Sequence, residues 1–437
     1  MKHLFWGTAF TLLGICSLAQ PGSKADVGRK ADNLQAQIIS WRRDFHEHPE
    51  LGNREVRTSG LIAQYLQSLG LEVKTGIATT GVVGILKGGK PGPVVALRAD
   101  MDALPVTERA AAPFASKVKM TYNGQETGVM HACGHDAHMA MLMAAATVLS
   151  SLKKDLAGTI KFIFQPAEEG APAGEKGGAE EMVKQGVLDN PKVDAVFGLH
   201  IKSEIEAGTI RYRSGGTMAA VNDMRIVVRG KSSHGADPWL SIDPIVVSAQ
   251  IINNLQTIVS RNLDVTENPG VVTVAAINGG NRSNIIPESV EMLGTIRTLG
   301  KTDEKMVIGR IRQIVAKTAE AAGAEVEIRI PYSYHYPVTY NDPALTRQML
   351  PSLQATAGSL NVAETPATTI AEDFSFYQEK VPGLFFFLGG MPKGQDKSKA
   401  PPHHTPDFYI DESGLTLGVK ALCNLALDYL AAGQGKK

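Results

Sequence analysis

Residues Val129–His138 read V-M-H-A-C-G-H-D-A-H and place three histidines, one cysteine and one aspartate within ten positions. Cys133 and His135 stand two apart, which on a helix would turn them to different faces. In a tight loop opened by Gly134 a thiolate and an imidazole can reach one point. Soft sulfur and borderline nitrogen donors at that spacing suit a zinc-like divalent cation. The competing reading is a small buried hydrophobe beside ordinary polar histidines. Which of the two holds depends on whether distant segments bring further donors.

They are expected to. Apolar runs predict strands at Val82–Leu86, Val94–Ala99, Thr159–Phe164, Val193–Leu199 and Leu384–Leu388. Asp100-Met101-Asp102 follows the second, Glu168-Glu169 the third and His200 the fourth, and the last leads through a polar loop to His403-His404. Open α/β sheets bind ligands at the carboxyl ends of their strands. Carboxylates and imidazoles converging there, beside Cys133 and His135, point to a metal site. Adjacent side chains in extended backbone diverge. In Glu168-Glu169 one carboxylate can therefore take a metal while the other handles the proton of an attacking water.

Helices are predicted over Ala31–Glu47, Glu55–Leu69, the stretch after His135, Ala179–Gln185 and Leu415–Leu430. Strands alternating with helices make the main body α/β with a mostly parallel central sheet. Near Ala219 the pattern changes. Strand Asn222–Arg229, helix Asp243–Val259, strands Val271–Ala276 and Val290–Arg297, helix Asp303–Ala321 and strand Glu325–Ile330 follow in β-α-β-β-α-β order, the ferredoxin-like arrangement. The expected organisation is a first catalytic segment over 27–218, an inserted α+β lid over 219–332 and a second catalytic segment over 333–437. Hinges are expected near Ala219 and Pro331–Thr339.

The chain of 437 residues is 43% hydrophobic and 20% charged, with 44 basic and 44 acidic residues. No charge field favours nucleic acid. Residues 1–19 combine a basic start, the apolar run Leu4–Leu18 and a small-residue site at Ser17-Leu18-Ala19, as a secretory signal does. A lipoprotein signal through Cys16 would need a small residue where Ile15 stands. An exported, periplasmic or secreted, protein is expected, with no later stretch long and apolar enough to cross a membrane. Of the remaining cysteines, Cys423 lies in an apolar helix pattern and is read as core; two cysteines make no disulfide framework.

The motifs H-A-C-G-H-D-A-H, F-Q-P-A-E-E-G, G-L-H, G-K-S-S-H-G-A-D-P and A-E-D-F-S-F-Y together resemble the metal-dependent aminoacylase/carboxypeptidase family. The branch is that of hippurate hydrolase and the indole-acetyl-amino-acid hydrolases. The resemblance implies a zinc-exopeptidase-like catalytic domain with a lid. It implies Cys133, His135, Glu169, His200 and His404 as ligands of two divalent ions per subunit, manganese or zinc, and Glu168 as general base and acid. Asp100 takes the place of a ligand histidine, Asp102 would orient one, and His131, His138 and His403 would have supporting roles. His234 would stabilise the oxyanion, reaching the cleft of a partner in a homodimer built through the lid. Asn284 could bind the same oxygen or the substrate carboxylate, and Arg297 is a bidentate fork suited to a carboxylate. Pro238-Trp239-Leu240-Ser241 departs from the pattern of relatives and bears on substrate fit. The implied activity is amide hydrolysis of N-acyl amino acids or small peptide-like conjugates, with dipeptidase or carboxypeptidase action as the alternative. A thiol hydrolase using Cys133 and a non-catalytic acyl-amino-acid binder are the rivals of other classes.

Overall fold

The computed structural model describes residues 24–433; the expected signal segment lies outside them. Eight strands form the main sheet, in the spatial order Glu72–Ile77, Gly81–Lys87, Ala157–Gln165, Lys90–Asp100, Ala195–Glu206, Gly383–Met391, Ile210–Tyr212 and Val362–Glu364. The central four run parallel, and the neighbours on either side, Gly81–Lys87 and Ile210–Tyr212, run against them. Parallel strands are covered on both faces, which is why their sequences read as unbroken apolar runs. Helices His135–Ser150, Gln35–Glu47 and Leu415–Ala432 pack together over one face. The first is apolar on every side, as a helix in the middle of a core must be.

Register explains where the site falls. Asp100 pairs with Gln165, and Arg98 with Gly198, so Asp100, Gln165 and His200 lie level across three strands. Two of those strands end there. The third was expected to end at Leu199 but continues to Glu206, because it stays paired with Gly383–Met391 as far as Met391. His200 is therefore inside a strand, and only the ending of its neighbours opens the crevice.

The second sheet has the order Val271–Asn278, Ser289–Thr298, Ala220–Arg229, Glu325–Arg329, all antiparallel. Helices Pro244–Arg261 and Asp303–Ala321 cover one face of it. Val247, Ile251, Leu255 and Ile258 of the first meet Met224, Ile226 and Val228 of the sheet. Asp243 begins that helix by accepting from the backbone N–H groups of Ile245 and Val246, a cap worth about 1 kcal/mol. This is the lid expected from the sequence.

Two readings need correction. The helix expected over Ala31–Glu47 is two, Lys24–Asn33 and Gln35–Glu47, broken at Leu34. The segment Glu412–Ala432 is, against expectation, long and apolar enough to cross a membrane by composition. Leu415, Val419, Leu422, Cys423, Leu425 and Ala426 are nevertheless buried in the main core, so its apolar character is that of a core helix. Within the segment expected to carry the second hinge, residues 332–334 are tied to the lid itself. Asp223 accepts from the backbone N–H groups of Tyr332, Ser333 and Tyr334 and from the Ser333 hydroxyl. Beyond it, His335–Tyr336 adds a short strand to the lid sheet.

Candidate active site

The H-A-C-G-H-D-A-H loop turns into its helix at Gly134, whose φ of 97° lies in the left-handed region that favours glycine. A Cβ there would stand 2.5 Å from Cγ2 of Ile201, the residue after His200. The turn sets Cys133 and His135 on the same side of the crevice. His404 arrives from the polar loop with φ 62°, held by its backbone N–H to the carbonyl of Ala132. Ala167, with φ 50°, throws Glu168 and Glu169 toward the same place; its N–H is held by the buried carboxylate of Glu55. Left-handed backbone at two non-glycine residues is strain of the kind that gathers at functional sites.

Cys133 Sγ lies 3.3 Å from Nε2 of both His200 and His404. His404 Nε2 is 3.0 Å from Glu169 Oε1, and His135 Nε2 is 4.0 Å from Glu168 Oε2. Donor atoms of Cys133, His135 and His200 lie within 4.8 Å of one another, as do those of Cys133, Glu169 and His404. Two triads thus share one sulfur.

Supporting contacts aim the donors. His135 Nδ1 bonds the backbone carbonyl of Asp102, leaving Nε2 toward the cleft, and Asp102 also accepts from the Glu169 N–H. Holding one ring nitrogen so that the other is presented is the usual arrangement for a ligand histidine. His138 has neither nitrogen to spare: Nε2 accepts from the Ile201 N–H and Nδ1 bonds Asp100. Nε2 of His403 accepts from the Ser203 N–H, and His131 is fully buried away from both triads.

The donor set fits a pair of divalent cations. His135 Nε2 is buried without a hydrogen-bond partner, an expensive state unless something else engages it. The charges agree. Burial pushes the Glu168 carboxyl well above its usual range, with Glu372 and Glu169 adding to the effect. Burial also raises the Cys133 thiol, again with Glu169 adding, while His135 and His404 pull it down. A bound cation would offset the cost of burying the carboxylates and the thiolate together.

Residues 96–428 match the profile of peptidase family M20/M25/M40. The chain is 41% identical over 409 residues to thermostable carboxypeptidase 2 of Saccharolobus solfataricus, covering 92% of this chain and 99% of that one. The chain belongs to this peptidase family. It is 38% identical over 408 residues to the N-acetylcysteine deacetylase of Bacillus subtilis, covering 90% and 97%. A solved Bacillus subtilis structure described as a dinuclear metal binding peptidase from the M20 family superposes with a TM-score of 0.74 at 36% identity, covering 92% and 99%. This M20-family protein is a metal-dependent amidohydrolase.

In this M20-family chain a cleft of about 560 Å³ opens over the donors, lined by Cys133, Glu168, Glu169, His200 and His404 and, on the far side, by Arg297 of the lid. Arg297 lines the cleft with its Nε donating to the Thr369 carbonyl and its Nη1 to the Ile296 carbonyl. His234, on the short lid ribbon Ser233–His234 with Ile285–Ile286, and Asn284, just before the second ribbon strand, do not line the cleft of their own chain, and the place expected for His234 is the cleft of a partner. Nδ1 of His234 accepts from the Ala236 N–H, and the residue is exposed.

Other residues of the site escaped the sequence reading. Tyr336 donates its hydroxyl to the Glu168 backbone carbonyl at 2.9 Å. Behind Glu168, Arg98 is buried against Asp100, Glu372 and Asp373. Lys202, two residues beyond His200, lines the cleft. Arg98 and Lys202 lie in or just beyond apolar strand runs, where a charged residue facing a crevice is the one available signal.

Proposed function

We propose that this protein hydrolyses the amide bond of N-acyl amino acids, with Glu168 as the proton carrier. The observation that carries the reading is the position of Glu168, buried 4.0 Å from His135 beside two donor triads that share Cys133. Cys133, His135 and His200 would hold one ion, and Cys133, Glu169 and His404 the other, manganese or zinc. When bound, such ions polarise a carbonyl and acidify water.

Glu168 accepts the proton of the attacking water and returns it to the departing amide nitrogen. The products are a carboxylic acid and an amino acid, and the side chain ends in its starting state. A carboxyl biased toward its protonated form by burial and by Glu372 suits the second half of that cycle. Arg297 offers a fork for the substrate carboxylate. His234, exposed and outside its own cleft, is read as serving the oxyanion of a second copy. That copy would pair through the lid, where Trp239, Leu240, Ile245 and Val246 are exposed. Export directed by residues 1–19 is part of the same proposal; fractionation of the expressed full-length chain tests it.

The test is a screen of N-acyl amino acids against protein loaded with manganese or zinc, scored by release of the free amino acid. Dipeptides in the same screen decide between aminoacylase and carboxypeptidase action. The close approach of Cys133 to His200 and His404 also suits a thiol nucleophile, which predicts activity that survives chelation. Loss of activity on chelation, restored by metal, supports the proposal.

A further inference from the structure

Lys202 follows His200 by two positions on the strand Ala195–Glu206, so both side chains stand on the face that looks into the cleft. The residue is only 8% exposed. Among the described residues no carboxylate forms an ion pair with its ammonium group. Two carboxylates that line the cleft are engaged elsewhere, Glu372 with Arg98 and Glu169 beside His404. What does touch it is the face of Phe387, whose ring centroid lies 5.5 Å from Nζ. An aromatic face steadies a cation without neutralising it. A lysine stem can lie along apolar surface while its head keeps to open space, and here the open space is the cleft.

The cleft therefore offers two cationic groups, Arg297 on the lid and Lys202 on the floor, with Met218, Val221 and Ile370 among the residues lining it. One carboxylate of an N-acyl amino acid can satisfy one of them. We propose that Lys202 is a specificity-determining residue that recognises a second carboxylate, and that preferred substrates are N-acyl amino acids carrying two. This rests on the reading of the site as an N-acyl amino acid hydrolase. The second carboxylate belongs either to the side chain of the amino acid or to a dicarboxylic acyl group.

The experiment measures kcat/KM of the metal-loaded protein on two pairs of matched substrates. N-acetyl-L-glutamate is set against N-acetyl-L-glutamine, and N-succinyl-L-alanine against its succinamyl counterpart. Wild type should favour one diacid over its neutral partner, and that pair identifies which side of the substrate Lys202 meets. Lys202→Met should remove that preference by about tenfold to a hundredfold, mainly through KM, the scale of one hydrogen bond to a charged group. Lys202→Arg should keep most of it, and metal content of both variants should match wild type. Wild type that shows no preference in either pair, or Lys202→Met that slows diacid and neutral substrates by one factor, overturns the assignment while leaving the hydrolase reading intact. Failure of wild type to cleave any of the four overturns both.

Discussion

Replacing Gly134 by alanine adds one methyl group at the point where the metal-binding loop becomes a helix. At φ 97° that methyl group is placed in left-handed backbone, which costs an L-residue about 1–2 kcal/mol. It would also stand 2.5 Å from Ile201 Cγ2, against an ordinary carbon contact near 3.5–4.0 Å. Ile201 is fully buried in the strand that carries His200, so it cannot swing aside into solvent. Overpacking of that kind costs about 1–3 kcal/mol. Together the two terms give about 2–5 kcal/mol, and relief has to come from moving either Cys133 and His135 or His200. At about 1.6 °C per kcal/mol for a catalytic domain of about 300 residues, melting should fall by at least about 3 °C. Misplacing donors by about an ångström should cost on the order of a hundredfold in kcat/KM. Differential scanning calorimetry, elemental analysis and steady-state kinetics on the one variant read all three. A Gly134→Ala protein that melts with wild type and keeps full metal content would refute the argument that this glycine sets the donor geometry.

Glu168→Gln should retain metal while kcat falls by about a hundredfold or more, as for a lost general base; Glu169→Gln should lose metal instead, and exchanged phenotypes would exchange the roles. Cys133→Ser, which touches both triads, should reduce total metal content more than His200→Ala, which touches one. Mixing Glu168→Gln with His234→Ala under conditions of subunit exchange should restore activity, since a mixed dimer holds one site with both residues intact; exchange verified by mass without recovered activity would mean that His234 acts within its own chain or not at all. For the Asp223 anchor, burial alone would raise the carboxyl, but bonds from the Ser333 hydroxyl and from the N–H groups of Ser333, Tyr334 and Tyr332 hold it below its usual 3.8. A depressed carboxyl contributes stability above its unfolded pKa and loses that contribution as pH falls through the folded value. The lid connection should accordingly loosen only below about pH 4. Hydrogen exchange at Tyr332–Tyr334 should show this in wild type, with fast exchange at all pH values in Asp223→Ala.

The donors legible from sequence were those whose motifs carry their own geometry. Gly134 forces a turn between Cys133 and His135, and Glu168-Glu169 follows a strand with no room for a helix. What stayed hidden depends on register between distant segments. Nothing near Lys202 tells whether it faces water or a crevice until Asp100 and Gln165 are seen to end level with His200. Tyr336 is likewise an ordinary strand residue until its hydroxyl meets the Glu168 carbonyl. Elements missed outright were short or polar. Glu72–Ile77 has little apolar content, the hairpin Lys119–Tyr122 with Gln125–Gly128 is mostly polar, and helix Pro343–Ala357 carries Pro351 in its interior. The main helices and strands of the lid were readable, because each helix bears a full apolar stripe and each main strand lies against that stripe, whereas the two-residue pieces Ser233–His234, Ile285–Ile286 and His335–Tyr336 were too short to show a pattern.

The order of strands in the main sheet bears on how the protein is made. Ala195–Glu206 and Ile210–Tyr212 are neighbours in sequence, yet Gly383–Met391 lies between them. That strand emerges from the ribosome only after the whole lid has been synthesised. Until then the sheet has a gap at its middle, the strand bearing His200 has one edge unpaired, and the loop bearing His404 does not exist. Domains tend to fold as units in order of synthesis, so the lid can fold while the first catalytic segment waits beside it with an open edge. An unpaired strand edge invites association with other chains. The interval between completing the lid and inserting Gly383–Met391 is where a nascent or truncated chain is most exposed to aggregation, and a chain cut before Gly383 should be insoluble even with every lid residue present.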